Sequence, residues 1–334
     1  MTRVLLSTYH SIAEHDDLRL LHGQGFEVLS LGAYLDPRNP GDDKRPPLDI
    51  DPVDATIVEL VRDTHAAKQA IPPEVLEWLG PDGAIIWHHF PEHLLRQWDT
   101  LRRWGGRVIW RSCGQTDDRL EATMSFYRRQ GLERVAYSPR ESAAPSYAGH
   151  DALIRFHADP DEWGGWTGSA GTVANVTQHL HQRGQATHAE FWDMATSGLP
   201  TTLMGPGSED HGGLGVLPLD EMRRHLREAR AYLYTGTQAA PYTLGFVEAA
   251  MTGVPIVSIG PKAWGTWFPY SPDLFEAHRL SWSATDSPTE ARDRLLDLLH
   301  DPDLAAEASR EQRAIAVEAF SADRIGAQWA EYLA

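Results

Sequence analysis

Residues 231–260, AYLYTGTQAAPYTLGFVEAAMTGVPIVSIG, contain a complete strand–loop–helix–strand unit. An apolar run ends in a loop rich in Thr, Gly and Pro, and Thr243 then stands where a helix would be capped. The helix carries one acid, Glu248, stops at Gly253, and is followed at once by a second apolar strand over 254–259. A helix N-terminus presents unpaired N–H groups and a partial positive charge, which suits a phosphate. Gly245 would let the backbone approach a ligand closely, and Thr243 would cap the helix or offer its hydroxyl. A carboxylate one turn in, at Glu248, can accept two hydrogen bonds from a ribose diol. Phosphate at the mouth and ribose at the acid together describe a nucleoside diphosphate. The plainer alternative is a solvent-facing Glu248 and a packing glycine at Gly245.

Outward from this unit the chain alternates. Towards the N-terminus, 3–9, 27–34, 83–89, 106–112, 133–139 and 151–158 read as short apolar strands, with helices over 14–25, 54–70 and 91–105. Residues 36–52, rich in Pro and Asp, read as loop. The segment ADPDEWGGWTGSAG, 158–171, is polar and turn-prone and makes the best boundary. After it the pattern restarts, with strands at 172–177 and 201–204 and helices at 188–198 and 218–229. From about residue 287 the chain reads as all helix. Strands alternating with helices imply parallel sheets covered on both faces. The expected division is 1–160, an N-terminal Rossmann-like acceptor domain; 165–310, a C-terminal Rossmann-like donor domain; and 311–334, a C-terminal helix packing back on the first.

The first strand runs into STYHSIAEHDD without a G-x-G-x-x-G, and no P-loop is present, so nicotinamide chemistry and Walker-type phosphoryl transfer are disfavoured. With 30 basic against 47 acidic residues the formal charge is −17, which argues against unspecific adhesion to nucleic acid or anionic membrane. The charge is uneven: residues 91–140 hold ten Arg against six Asp plus Glu. Either these are solvated helix faces or they form a docking surface for a phosphate-bearing acceptor. One cysteine, Cys113, rules out an internal disulfide and suits a reducing cytoplasm, and a packing role fits it better than a nucleophilic one. No apolar run approaches membrane-spanning length, and the N-terminus turns polar too early for a secretory signal. The expected location is cytoplasmic.

The block YTGTQAAPYTLGFVEAAMTGVPIVSIG resembles the signature of family-4 glycosyltransferases of the GT-B fold, E-G-F-G-L-x-x-x-E-A-M-A-x-G-x-P-V-V after a strand. The resemblance implies an α/β fold of two Rossmann-like domains facing each other across a cleft. It also implies that Glu248 holds the donor ribose and that Thr243, Leu244 and Gly245 lie at the diphosphate, with Tyr242 among the donor-binding residues. The family's first acid, eight residues before the second, is replaced here by Ala240, which leaves the donor sugar open. MGPGSED, with Gly205 and Gly207, is similar to the family's V-x-G-x-G turn under the nucleobase and phosphates. TQHLHQRG sits where the family has G-R-x-x-x-x-K-G; Arg183 matches the Lys, and Gln178 replaces the Arg. The strand AIIWHHF resembles the family segment ending in a His that faces the donor sugar, a place that falls to His88 or His89. Arg111, Ser112 and Gln115 follow a strand end and are the acceptor-side candidates.

This similarity implies transfer of a sugar from a nucleoside-diphosphate donor, expected to be UDP-linked, to a hydroxyl acceptor with retention at the anomeric carbon. The nucleotide sugar is then a co-substrate, with no bound cofactor or metal; the histidines of HLHQRGQATH lack the geometry of a closed metal site. The wider arrangement resembles a group of transferases from actinobacteria and their phages, some of which decorate hydroxymethylated pyrimidines in DNA. That makes modified DNA one acceptor and a phage-infected host cytoplasm one setting. A small-molecule, lipid or cell-surface polyol is the other acceptor reading. A non-catalytic nucleotide-sugar sensor on a degenerate transferase scaffold, and an epimerase of the same shape, remain as alternatives.

Overall fold

The computed structural model describes residues 2–7, 10–30, 45, 46, 48, 50, 56–60, 70–88, 95–113, 118–238, 240–260, 263 and 284–334. The chain divides into two compact units. The first comprises Met1–Tyr137, Ala144–Arg155 and Ile325–Ala334, and the second Ser138–Ala143 and Phe156–Arg324.

The first unit runs β1 (Arg3–Ser7), α1 (Ser11–Gly23), β2 (Glu27–Ser30), α2 (Pro73–Leu79), β3 (Ala84–His88), α3 (Trp98–Trp104), β4 (Arg107–Arg111), α4 (Asp118–Arg128), β5 (Glu133–Ala136) and β6 (Ala152–Leu153). Its strands form one sheet in the order β2-β1-β3-β4-β5-β6. All pairings are parallel, with Leu5 opposite Leu29 on one side and Ile85 on the other. The near-continuous apolar runs VLL, AIIW and VIW are buried because helices cover both faces of such a sheet.

The second unit runs α5 (Pro160–Trp163), β7 (Val173–Val176), α6 (Leu180–Arg183), α7 (Ala189–Thr196), β8 (Thr201–Met204), α8 (Leu219–Glu228), β9 (Ala231–Tyr234), α9 (Leu244–Thr252), β10 (Ile256–Ile259), β11 (Ala284–Thr285), α10 (Pro288–His300) and α11 (Pro302–Phe320). Its parallel strands take the order β11-β10-β9-β7-β8. Val173, Ala231, Leu233, Val257 and Ile259 meet Phe191, Trp192 and Ala195 of α7 and Ala291, Leu295 and Leu298 of α10 in one core. On α11, Gln312 grips the main chain of β10: its Oε1 accepts from Ile256 N at 2.6 Å and its Nε2 donates to Ile256 O at 3.1 Å.

The last helix, α12 (Ala322–Leu333), begins in the second unit, and from Ile325 onward it belongs to the first. Ile325, Trp329 and Leu333 recur at helical spacing and are all buried. Tyr332 bonds Glu133 through its hydroxyl at 2.5 Å, and its carbonyl accepts from Arg107 Nη1 at 2.7 Å.

Helices α2 and α4, and the single-turn α5 within the expected boundary segment, were not anticipated. α2 opens on a Pro at its first position, which favours helix entry, and buries Val75, Leu76 and Leu79. The strand expected over 151–158 shrinks to Ala152–Leu153. As the edge strand it has one neighbour, and beyond Leu153 only Ile154 N still reaches β5, at Ala136 O. The expected loop 36–52 and most of the expected helix 54–70 lie outside the described residues. No described helix is long and apolar enough to cross a membrane.

Candidate functional site

In the second unit β7 has β8 on one side and β9 on the other. Chain connections leave β7 in opposite directions there, and such a switch point opens a crevice at the carboxyl ends of the strands. Three loops meet at that edge. The segment after β7 is tied to the turn after β8 by Thr177 N donating to Met204 O (3.1 Å), His179 N to Pro206 O (2.8 Å) and Gln182 Nε2 to Gly207 O (3.0 Å). The same segment is tied to the loop after β9 by Gln238 N donating to Ala186 O (2.7 Å). Next to that bond, His188 Nδ1 donates to Thr235 O (2.8 Å), and Gln238 Nε2 donates to His188 Nε2 (3.2 Å).

The mouth of α9 opens at this edge. Thr243 is its N-cap, extended at φ −110°, and its hydroxyl accepts from Phe246 N. Thr243 thus caps the helix, as one of its two readings expected. The N–H groups of Leu244 and Gly245 have no acceptor among the described residues, as expected for the first amides of a helix. A Cβ at Gly245 would stand 3.0 Å from Val176 O and 3.6 Å from the Tyr232 hydroxyl. The missing side chain therefore lets α9 seat its first turn on the end of β7. Gly253, at φ +88°, closes the helix in the left-handed conformation.

Glu248 is buried at 6% exposure, so it is not the solvent-facing residue of the plainer alternative. Tyr232, on β9, holds the junction beneath it: its hydroxyl accepts from Val176 N at 3.1 Å. Burial pushes the Tyr232 phenol above its ordinary value, and the nearby Glu248 charge pushes it further. Tyr232 stays a neutral phenol, and Glu248 lies within electrostatic reach of it.

Arg183 ends α6. It is half-buried, burial draws its guanidinium below the ordinary arginine value, and no carboxylate pairs with it among the described residues. Arginine remains charged under any such shift, so this is a partly desolvated cation in want of an anion. Gln178, five residues before, is exposed. Gly205 takes φ +116°, and a Cβ there would meet Thr177 O at 2.7 Å; Gly207 takes φ +78° against the Gln182 amide. Both glycines are dictated by backbone geometry at the β8 turn. Tyr242 is only 1% exposed and packs edge-on against Phe156 and Phe320, with Phe246 tilted beside it. It anchors the helix mouth from behind and presents no surface to a ligand. Ala240 is buried in the turn that its N–H makes with Thr237 O.

The candidates in the first unit are held inside it. His88, at the end of β3, is fully enclosed, with Nε2 3.1 Å from Asp17 Oδ2 of α1. Arg111 is likewise enclosed, donating to the carbonyls of Ile154 and Arg155 and lying 5.4 Å from the Trp329 ring. Ser112 is buried and bonds Val135 O. His89 and Gln115 lie outside the described residues. Three of the ten arginines of 91–140 are paired with carboxylates. Arg134 and Glu121 form a bidentate pair, both fully buried, at 2.6 and 2.8 Å. Arg107 grips Glu133 at 3.0 and 2.8 Å, and Arg128 pairs with Asp151. Among the described residues no group of three His, Cys, Asp or Glu could hold a metal ion.

Two residues of the site were not singled out in sequence. Tyr232 reads as an ordinary aromatic of a buried strand. His188 reads as one of three histidines in a short run; it shares its left-handed φ of 54° with His179, and its bonds to Thr235 and Gln238 set it apart.

Two sheets of parallel strands with alternating helices, arranged in this way, constitute the GT-B fold. Anabaena HepE, solved in complex with UDP and glucose, matches 100% of this chain and 99% of its own at a TM-score of 0.62 and 12% identity. The UDP-forming α,α-trehalose-phosphate synthase of Burkholderia xenovorans matches 99% of this chain and 98% of its own, at 0.57 and 11%. T4 phage β-glucosyltransferase does so over 99% and 98%, at 0.54 and 12%. At such identities the likeness is one of fold. No protein-family model matches the chain, and no curated protein sequence matches it.

Proposed function

We propose that this chain transfers a sugar from a UDP-linked donor to a hydroxyl acceptor. The observation that carries the reading is the pairing, at one sheet edge, of two positive features with no partner among the described residues. These are the half-buried Arg183 guanidinium and the free amides of Leu244 and Gly245 at the α9 mouth. A diphosphate would satisfy both, and the buried Glu248 carboxylate would accept from the ribose hydroxyls. UDP as the nucleotide is supported by the fold likeness to HepE, solved with UDP and glucose, and to a UDP-forming synthase.

As the anomeric C–O bond breaks, negative charge grows on the leaving diphosphate, where the helix dipole and Arg183 stabilise it more than in the ground state. Transfer proceeds with retention, and the leaving diphosphate oxygen takes the acceptor proton. Support for this comes from the enclosure of His88, the first unit's described catalytic candidate, against Asp17. A neutral polyol is the acceptor class that fits the charge of −17 and the internally paired arginines. A hydroxymethylated pyrimidine in DNA is the second reading, favoured by the fold likeness to the DNA-modifying phage β-glucosyltransferase.

The test is a thermal-shift panel of UDP, GDP, ADP, dTDP and NAD at about one hundred times the dissociation constant, where binding adds about 2.7 kcal/mol of stability. UDP should raise the melting temperature and NAD should not. A flat response to all five removes the donor reading. Binding without turnover of UDP-glucose, with polyols or with hydroxymethylated DNA, would establish the sensor instead.

A further inference from the structure

We infer that His188 is a positioning residue for diphosphate recognition, a clasp that fixes the spacing between Arg183 and the mouth of α9. The inference rests on the UDP-donor reading and adds a residue that touches no donor. The two positive elements of the proposed site sit on different loops. Arg183 belongs to the segment between β7 and α7, and the α9 mouth is reached through the loop 235–243. Loops with separate anchors hold a fixed spacing only if something joins them directly.

His188 makes that join. Its Nδ1–H donates to Thr235 O, the first residue past β9, at 2.8 Å, and its Nε2 accepts from Gln238 Nε2 at 3.2 Å. A carbonyl can only accept, and the amide nitrogen can only donate, so the ring is the neutral Nδ1–H tautomer. The main-chain bond from Gln238 N to Ala186 O, at 2.7 Å, completes three bonds between 186–188 and 235–238. Burial lowers the affinity of the ring for a second proton, consistent with the neutral form.

The backbone points the same way. His188 holds φ 54°, ψ 44°, as the cap of α7, and its side chain makes no capping bond. A left-handed residue with a Cβ costs roughly 1–2 kcal/mol relative to the right-handed form. Glycine would avoid that cost, and asparagine or aspartate would cap the helix better. A histidine here gives up both advantages, and what it alone provides is a rigid ring with a donor on one side and an acceptor on the other.

The experiment measures UDP and uridine binding to the full chain by calorimetry and NMR titration. The variants are His188→Ala, His188→Gly, His188→Asn and Gln238→Leu. Uridine lacks the diphosphate, so a clasp that spaces the two phosphate-binding elements affects UDP alone. His188→Ala and His188→Gly should weaken UDP by about tenfold or more, the equivalent of one well-made contact to a charged group, and leave uridine nearly unchanged. His188→Gly relieves the backbone strain, so its failure to restore UDP separates the clasp from the strain. His188→Asn tolerates the left-handed backbone and keeps a donor for Thr235 O, so it should recover most of the affinity. Gln238→Leu removes one bond without altering position 188 and should weaken UDP to an intermediate degree. Equal loss of UDP and uridine, or no loss of either in folded variants, overturns the inference while the donor reading stands. Absence of UDP binding to the wild type overturns both.

Discussion

At the residue scale the proposed donor site rests on one buried carboxylate, Glu248, and one half-buried guanidinium, Arg183. Glu248→Ala should weaken UDP binding by roughly 1.5–3 kcal/mol, the range for hydrogen bonds to a charged group. Isothermal calorimetry reads this directly, and wild-type affinity in the variant would remove the ribose assignment. Both are candidates that the sequence already offered, because a lone acid one turn into a helix and a cation at a helix end are positional signals. Their surroundings were not. Tyr232 and His188 act through contacts with residues 56 and 47 positions away in the chain, which no local pattern encodes.

His188 also makes a prediction about pH. Its folded pKa lies below the unfolded value of about 6.5, so the unfolded chain binds the extra proton first. The stability it contributes is complete above about 6.5 and is lost as pH falls from there through the lowered folded pKa. Urea unfolding as a function of pH should therefore show, below about 6.5, a decline in wild type that is shallower in His188→Asn. Identical slopes would mean that the ring is protonated equally in both states.

At the scale of the element, α9 is the best-signposted part of the chain. Thr243 caps it, Gly253 ends it, and both appear where the segment 231–260 put them. Its first glycine also has a packing role, the plainer of the two readings open to it. Gly245 serves the seat of the helix on β7, and a methyl there would press on Val176 O at 3.0 Å. Gly245→Ala should shift the helix mouth and weaken UDP about fivefold, near 1 kcal/mol, without unfolding the chain. Competition binding against wild type checks this, and unchanged affinity would show that the first turn yields freely. Gly253→Ala should instead cost about 1–2 kcal/mol of stability, from a left-handed Cβ that also meets Arg313 Cδ at 3.1 Å. Tyr242 shows the limit of motif reading: a signature fixes an aromatic at that position, but only packing against Phe156, Phe246 and Phe320 assigns it to the core.

At the scale of the whole molecule, the alternation of apolar runs with amphipathic helices already specified two parallel α/β sheets. What it left open was which distant segments complete each unit. The last ten residues belong to the first unit, where Trp329 is buried and Tyr332 bonds Glu133. Trp329→Ala should destabilise that unit by about 3–5 kcal/mol and leave UDP binding unchanged, as a denaturation curve followed by a binding isotherm would read. A loss of UDP affinity at constant fold would show that the helix also reaches the donor site. The arginines of 91–140 teach the same lesson with charge. Their excess is visible in composition, but the pairs Arg107–Glu133, Arg128–Asp151 and Arg134–Glu121 exist only once the strands and helices are assembled. The sequence by itself determined the strand–helix alternation and the caps of α9, and made Glu248 and Arg183 candidates, because periodicity, capping and single charges are local properties. Only the tertiary structure decided that His88 and Arg111 are enclosed, that Gly245 seats a helix, and that Tyr232 and His188 bind the loops together. Burial and hydrogen-bond partnership depend on residues that the chain separates and only the fold brings into contact.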